Sequence, residues 1–205
     1  MTMEKIDYGK QFKHLYGTST KKVEIVDVPQ MNFLMVDGEG DPNTAKSFSD
    51  AIEALYPLSY TLKFMVKKGE TGIDYGVLPL EALWWADDLS AFSTGNKDAW
   101  KWTLMIMQPE FITPEMVEAA TEAVARKKKP VSLPLVRFES FREGKAAQIV
   151  HVGPFSEEGP TIEKVHSFIE ENGCQRVGKH HEIYLSDLRR TAPEKWKTIV
   201  RQPMS

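Results

Sequence analysis

The sequence predicts an α+β fold of two strand-helix-strand-strand repeats with pseudo-twofold symmetry. Its sheet is largely antiparallel, with helices on one face and a ligand cleft on the other. Three observations predict this. The same order of strand-like and helix-like periodicities occurs twice, with roughly 110 residues between equivalent points. The copies echo each other in wording: MVDGEG against VHVGPF at the first strand, and WKWTLMIMQP against WKTIVRQP at the last. Strand runs are short and end in Gly or Pro, which punctuates a sheet of turns and crossovers.

The opening stretch over residues 1–22 mixes charge with Phe12, Leu15 and Tyr16, and reads as an arm or short helix docked on the domain. Val23 to Val28 alternates apolar and polar residues, a half-buried strand that Pro29 is expected to end. Met31 to Pro42 is a run of strand formers breaking into glycines. From Asn43 to Lys67 the apolar residues Phe48, Ala51, Ile52, Leu55, Leu58, Leu62 and Met65 keep helical spacing, with a kink or break expected at Pro57. Tyr75 to Trp85 reads as one strand bent around Pro79, and Trp100 to Gln108 as another. On the latter, Met105 and Met107 share a face with Lys101 and Thr103.

Thr113-Pro114-Glu115 is a helix start, with an N-cap hydroxyl, proline in the first turn and an acid beside it. The helix runs to the basic cluster Arg126 to Lys129, whose charges complement the C-terminal dipole. Leu135 to Phe141 resumes strand character. The second copy then follows: a strand from Lys145 into Gly153-Pro154, a helix over residues 161–171, the strand GKHHEIYL, and a final strand from Trp196. The expected organisation is an arm over residues 1–22 and a domain over 23–205. Within it, repeat one covers 23–112, a connecting helix and linker 113–134, and repeat two 135–205.

Composition narrows the function classes. A net charge of -3 and a pI near 6.0 provide no basic field for nucleic acid. The lone Cys174 rules out an internal disulfide and fits a reducing cytoplasmic location. No segment approaches the roughly 20 apolar residues of a membrane span. Five tryptophans and six tyrosines supply either an aromatic core or an aromatic-walled pocket.

The segment HHEIY, residues 180–184, carries an acid in the middle of a strand. Strand parity puts His180, Glu182 and Tyr184 on one side, and His181 and Ile183 on the other, which suits a helix-packed core. Glu182 and Tyr184 then face the open side. Glu182 is a general base or ligand-binding acid there, or a solvated strand position. Desolvation would raise its pKa. His180 and Glu182, with His151, could reach one metal ion, but no metal-ligand spacing supports this and no metal or cofactor is expected. No nucleophile motif, P-loop or dinucleotide fingerprint is present. Ligand-lining candidates are Trp84, Trp85, Tyr75, Met105, Met107, His151 and His180. One of Trp84 and Trp85 faces the open side, and parity alone does not say which.

The run GKHHEIYLSDLRRTAPEKWKTIVRQP resembles the GyrI-like small-molecule-binding domains, which also form the effector-binding part of several drug-sensing transcription regulators. FLMVDGEGDP, LPLEALWW and WKWTLMIMQPEFIT are similar to a stand-alone subgroup of that superfamily. The resemblance implies the two-repeat fold, with Glu182 at the bottom of the ligand cleft and Tyr184 beside it. It also implies ligands that are bulky, aromatic and often cationic. Some stand-alone members hydrolyse cyclopropane-bearing DNA-alkylating natural products, opening the strained ring with water. On that precedent Glu182 would be the base and Tyr184 a hydrogen-bond donor. A non-catalytic drug sink or sensor, or a gyrase-type protein-interaction module, is the alternative. Only 22 residues precede the first strand, too few for a helix-turn-helix domain, so direct nucleic-acid binding is not expected. The expected partner is a small molecule, with no membrane involved.

Overall fold

The computed structural model describes residues 5–88 and 90–205. In chain order the elements are β1 (Lys5–Ile6), α1 (Tyr8–Gln11), α2 (Lys13–Tyr16), β2 (Glu24–Glu39), α3 (Lys46–Lys68), β3 (Asp74–Tyr75), β4 (Leu80–Trp85) and α4 (Ser90–Ser93). There follow β5 (Lys101–Gln108), α5 (Pro114–Lys127), β6 (Arg137–Val152), α6 (Gly159–Glu171), β7 (His180–Tyr184) and β8 (Lys197–Pro203). The long elements run β2-α3-β4-β5 and then β6-α6-β7-β8, and the strand-helix-strand-strand order is therefore met twice. The fold is α+β, and the ladders between its long strands are antiparallel. Among the described residues, no helix is long and apolar enough to cross a membrane.

Two compact units are formed, one from residues 5–11, Met31–Leu78 and Trp85–Phe141, the other from Phe12–Gln30, Pro79–Trp84 and Arg142–Ser205. In the first, β2 pairs antiparallel with β5 from Asn32↔Gln108 to Glu39↔Lys101, and β1 pairs parallel with β3. Helix α3 packs on β5 and on α5. Helix α3 is continuous through Pro57, against the expected break. The reason is energetic. Proline costs about 3 kcal/mol in a helix interior, whereas Ala51, Ala54, Leu55, Leu58, Ser59, Leu62 and Val66 are all buried on one face. Each fully buried leucine contributes about 1.5–3 kcal/mol, so a single-helix face outweighs the proline. Strand β2 likewise runs through Pro29, whose exposed position tolerates a missing N–H.

Within this unit, Gly38 lies opposite Trp102 in the β2–β5 ladder. Trp102 is fully buried, edge-on to Phe48 at 5.1 Å. A Cβ at position 38 would fall inside the indole of Trp102. The ring is flat, rigid and enclosed, so it cannot yield. Gly38→Ala is expected to destabilise the protein by about 3 kcal/mol, the upper end for overpacking. Urea unfolding followed by tryptophan fluorescence reads this as a lower midpoint at unchanged slope.

The second unit holds the ladder β4-β7-β8-β6, antiparallel throughout. Register rows cross it from Glu182 to Val200 to Ile149, and from His181 to Arg201 to Gln148. Strand β6 spans both stretches expected as separate strands. Gly144, at φ 76°, sits between those two stretches and takes the left-handed backbone that other residues avoid. Helix α6 lays Val165 and Ile169 on Ala147, Ile149 and Val200, with Met204 completing the cluster.

Candidate functional site

The α6-facing rows decide how β7 is oriented. Val200 and Ile149 lie in the row of Glu182, so Glu182 shares its sheet face with the residues that pack on α6. The expectation that it faces away from the helix-packed side is corrected. Ile183 and His181 point to the other face, which is also fully buried. The expected partition within β7 itself holds, with His180, Glu182 and Tyr184 on one side.

Glu182 is held on several sides. The Tyr184 hydroxyl donates to its Oε2 at 2.8 Å, and His180 Nε2 lies 3.3 Å from its Oε1. Glu158, the residue before α6, lies beside it and beside Thr198 of β8, near enough for a shared proton. The Glu182 side chain keeps 14% of its surface exposed, so it is a lightly accessible carboxylate and not an entombed one. Burial pushes its pKa up, but the hydrogen bond and charge of His180, with the hydrogen bonds of Tyr184 and Glu158, outweigh it and hold Glu182 below the usual carboxylate range. The expected upward shift falls instead on Glu158. Burial first, then the charge of Glu182, raise that group to about 9. Burial and the neighbouring Glu182 also push the Tyr184 phenol well up, so it stays protonated as a donor.

Trp84 is the member of the tryptophan pair that belongs to this cluster. It lies opposite His180 in the β4–β7 ladder, with its indole beside the Tyr184 phenol. Phe155 packs edge-on against Tyr184 at 5.6 Å and tilted against Trp196 at 5.0 Å. Phe155 is 37% exposed, and Trp196 is pinned by its N–H to the carbonyl of Thr191 at 2.8 Å. His151 is buried with Nδ1 at 2.9 Å from Thr161 Oγ1 and Nε2 at 3.3 Å from the carbonyl of Pro154, tying β6 to the start of α6.

The remaining candidates lie in the first unit. Tyr75 is buried between Tyr8 and Phe111. Met105 and Met107 are buried on β5 opposite Met35 and Phe33. Trp85 is half-buried at the end of β4. Three residues of the cluster were missed in the sequence: Glu158, Phe155 and Trp196. The only local signal for Glu158 is its place before Gly159-Pro160, where an acid reads as a partner for the helix dipole.

Behind β7 lies a second polar cluster, buried throughout. His181 Nε2 meets Glu81 Oε2 at 3.0 Å, and Nδ1 meets Glu143 Oε1 at 2.9 Å. Glu143 also accepts from Arg201 at 3.0 Å. Arg201 donates to Gln148 and to the carbonyl of Leu15, both at 2.8 Å. The Tyr16 hydroxyl donates to Glu81 at 2.8 Å. Two carboxylates, one guanidinium and one imidazole thus share a dry site, and each carries an opposite partner.

An acid fixed in a strand with aromatic neighbours matches the pattern to which the sequence pointed, and the sequence profile described as "GyrI-like small molecule binding domain" matches residues 21–203. The chain belongs to the GyrI-like family. A solved structure of an uncharacterized conserved protein from Listeria innocua is 44% identical with a TM-score of 0.89, covering 98% of this chain and 100% of that one. A hydrolase from Listeria innocua is also 44% identical, at a TM-score of 0.85 and the same coverage. The C-terminal domain of EcmrR, 13% identical at a TM-score of 0.56 over 90% of this chain and 97% of that one, shares the GyrI-like fold. No curated protein matches the chain closely.

Proposed function

We propose that this GyrI-like protein binds planar, bulky aromatic small molecules, electrophilic or cationic, and hydrolyses those that carry a strained cyclopropane. One observation carries the reading: an ionised, lightly exposed carboxylate, Glu182, is fixed by a phenol and an imidazole next to an exposed aromatic wall. The Listeria relative described as a hydrolase supports it at 44% identity, as does the resemblance to stand-alone members that open cyclopropanes.

In this chemistry, a planar substrate stacks on Phe155, backed by Trp196 and Tyr184. Glu182 takes a proton from a water whose oxygen forms a bond to a cyclopropane carbon. A ring C–C bond breaks, and its electron pair moves into the conjugated carbonyl. The resulting oxyanion receives a hydrogen bond from Tyr184, which turns away from Glu182 once that group is protonated. The oxyanion takes a proton from solvent and Glu182 returns its proton to solvent, which completes the addition of one water and restores the base. Ring strain supplies much of the driving force, so a sparse site suffices.

The test is incubation of the full chain with a planar cyclopropane electrophile, following tryptophan quenching and product mass together. Quenching with a water-added product is expected. Quenching with unchanged ligand would leave a drug sink, and neither signal would point to a protein partner. Phe155→Ala is expected to weaken binding about tenfold, the upper range of an aromatic contact. An unchanged Kd in the quenching titration would move the ligand off this wall.

A further inference from the structure

The chemistry above leaves unused the buried acid that lies beside Glu182. Glu158 is 4% exposed. It is met by Glu182 from β7 and by Thr198 from β8, and the Tyr184 phenol also responds to its charge. Its Oε1 has no hydrogen-bond partner among the described residues. Two carboxyls in contact cannot both be charged in a dry site, so one proton must lie between them. Glu182 receives hydrogen bonds from His180 and Tyr184, whereas Glu158 has Thr198 alone besides Glu182. The asymmetry of donors places the negative charge on Glu182 and the proton on Glu158.

We propose that Glu158 is a positioning acid for Glu182: its protonated carboxyl donates to the Glu182 carboxylate and holds that base ionised and in a fixed orientation. Glu158 acts through Glu182 and need not touch substrate. The activity arm of its test rests on the hydrolase reading, and the spectroscopic arm does not. Deprotonation of Glu158 would place two like charges in contact and remove the donor, so the site is built to fail on the alkaline side.

The experiment compares the full-length wild type with Glu158→Gln and Glu158→Ala, each first confirmed to be folded by circular dichroism. With glutamate side-chain carboxyls labelled with 13C and no ligand present, the wild type is expected to show one carboxyl titrating near pH 9, absent in both variants. His181 also titrates at about 9, but it lies on the opposite face of β7 and contributes no carboxyl signal. No such carboxyl in the wild type would overturn the proposal, whatever the protein hydrolyses. With the cyclopropane electrophile as probe, Glu158→Ala is expected to lower kcat at neutral pH about tenfold or more with a smaller change in KM. Glu158→Gln, which keeps an N–H donor, is expected to recover most of that loss and to remove the alkaline fall in rate. Glutamine as damaging as alanine would overturn the proposal by showing that the Glu158 proton is itself transferred, and an unchanged alanine variant would overturn it outright.

Discussion

Glu182→Gln is expected to lower turnover of a cyclopropane electrophile by roughly 10²–10⁴-fold, the usual worth of a positioned general base, while leaving binding within a few-fold. Glutamine keeps the shape of the side chain and the contacts to Tyr184 and His180, since Tyr184 can donate to its amide oxygen and His180 can pair with the amide group. What it loses is the capacity to take a proton from water. Loss of kcat with Kd retained identifies proton abstraction as the missing step. Equal loss of both would assign Glu182 to binding, and equal rates in variant and wild type would remove it from the chemistry. A cationic ligand gives a second signature. Its affinity is expected to fall in Glu182→Gln while that of a neutral planar ligand does not, because only the former is attracted by the charge.

Much of this site was legible from strand periodicity. The alternation in HHEIY put His180, Glu182 and Tyr184 on one face, and their contacts bear that out. The choice of which face meets a helix was not legible. Ile183 suggested the helix-packed side, yet Ile149 and Val200, in the row of Glu182, are the residues that meet α6. Period-2 patterning assigns residues to faces but does not say what covers each face. The other face carries Glu81, Glu143, Gln148, His181 and Arg201, residue types that give no sign of burial in the sequence. They are buried, and they satisfy one another across 58 residues between Glu143 and Arg201 and 100 between Glu81 and His181. Pairing at that range is a tertiary fact. Glu158 escaped for the same reason: its meaning comes from Glu182, which lies on another element. Pro57 and Pro29 misled in the opposite sense, since local rules for proline lost to a buried helix face and to an exposed strand position.

The buried network behind β7 carries the largest expected effect on stability. Glu143→Ala leaves His181 and Arg201 facing each other in a dry site with one carboxylate fewer, and breaking such a pair costs about 3–5 kcal/mol. Arg201 retains Gln148 and the Leu15 carbonyl, and His181 retains Glu81, so the loss falls within that range and not above it. Glu143→Gln keeps the hydrogen-bonding shape but not the charge and is expected to fall between wild type and alanine. Chemical denaturation of the three proteins orders them, and a cost below about 1 kcal/mol, the level of an exposed pair, would show that the network is relaxed by water. The pH dependence checks the same network independently. Burial opposes the charge on Glu143, but the positive charges of His181 and Arg201 prevail and hold its pKa at about 2, against 4.5 ordinarily. That stabilisation is complete above pH 4.5 and is lost as pH falls toward 2. Burial likewise opposes the charge on His181, but Glu143 prevails and raises it to about 9, against 6.5. That contribution is complete below pH 6.5 and is lost as pH rises through 9. Glu158, raised from 4.5 to about 9 mainly by burial, adds a loss of stability beginning above pH 4.5. The acidic loss ends near the pH where the Glu158 loss begins, so stability is expected to peak near pH 4.5, to decline through Glu158 up to about pH 6.5 and to decline more steeply above it as His181 joins. Removing Glu143 is expected to flatten the acid limb and to bring the His181 limb to lower pH, because the imidazolium then has only Glu81 to hold its proton.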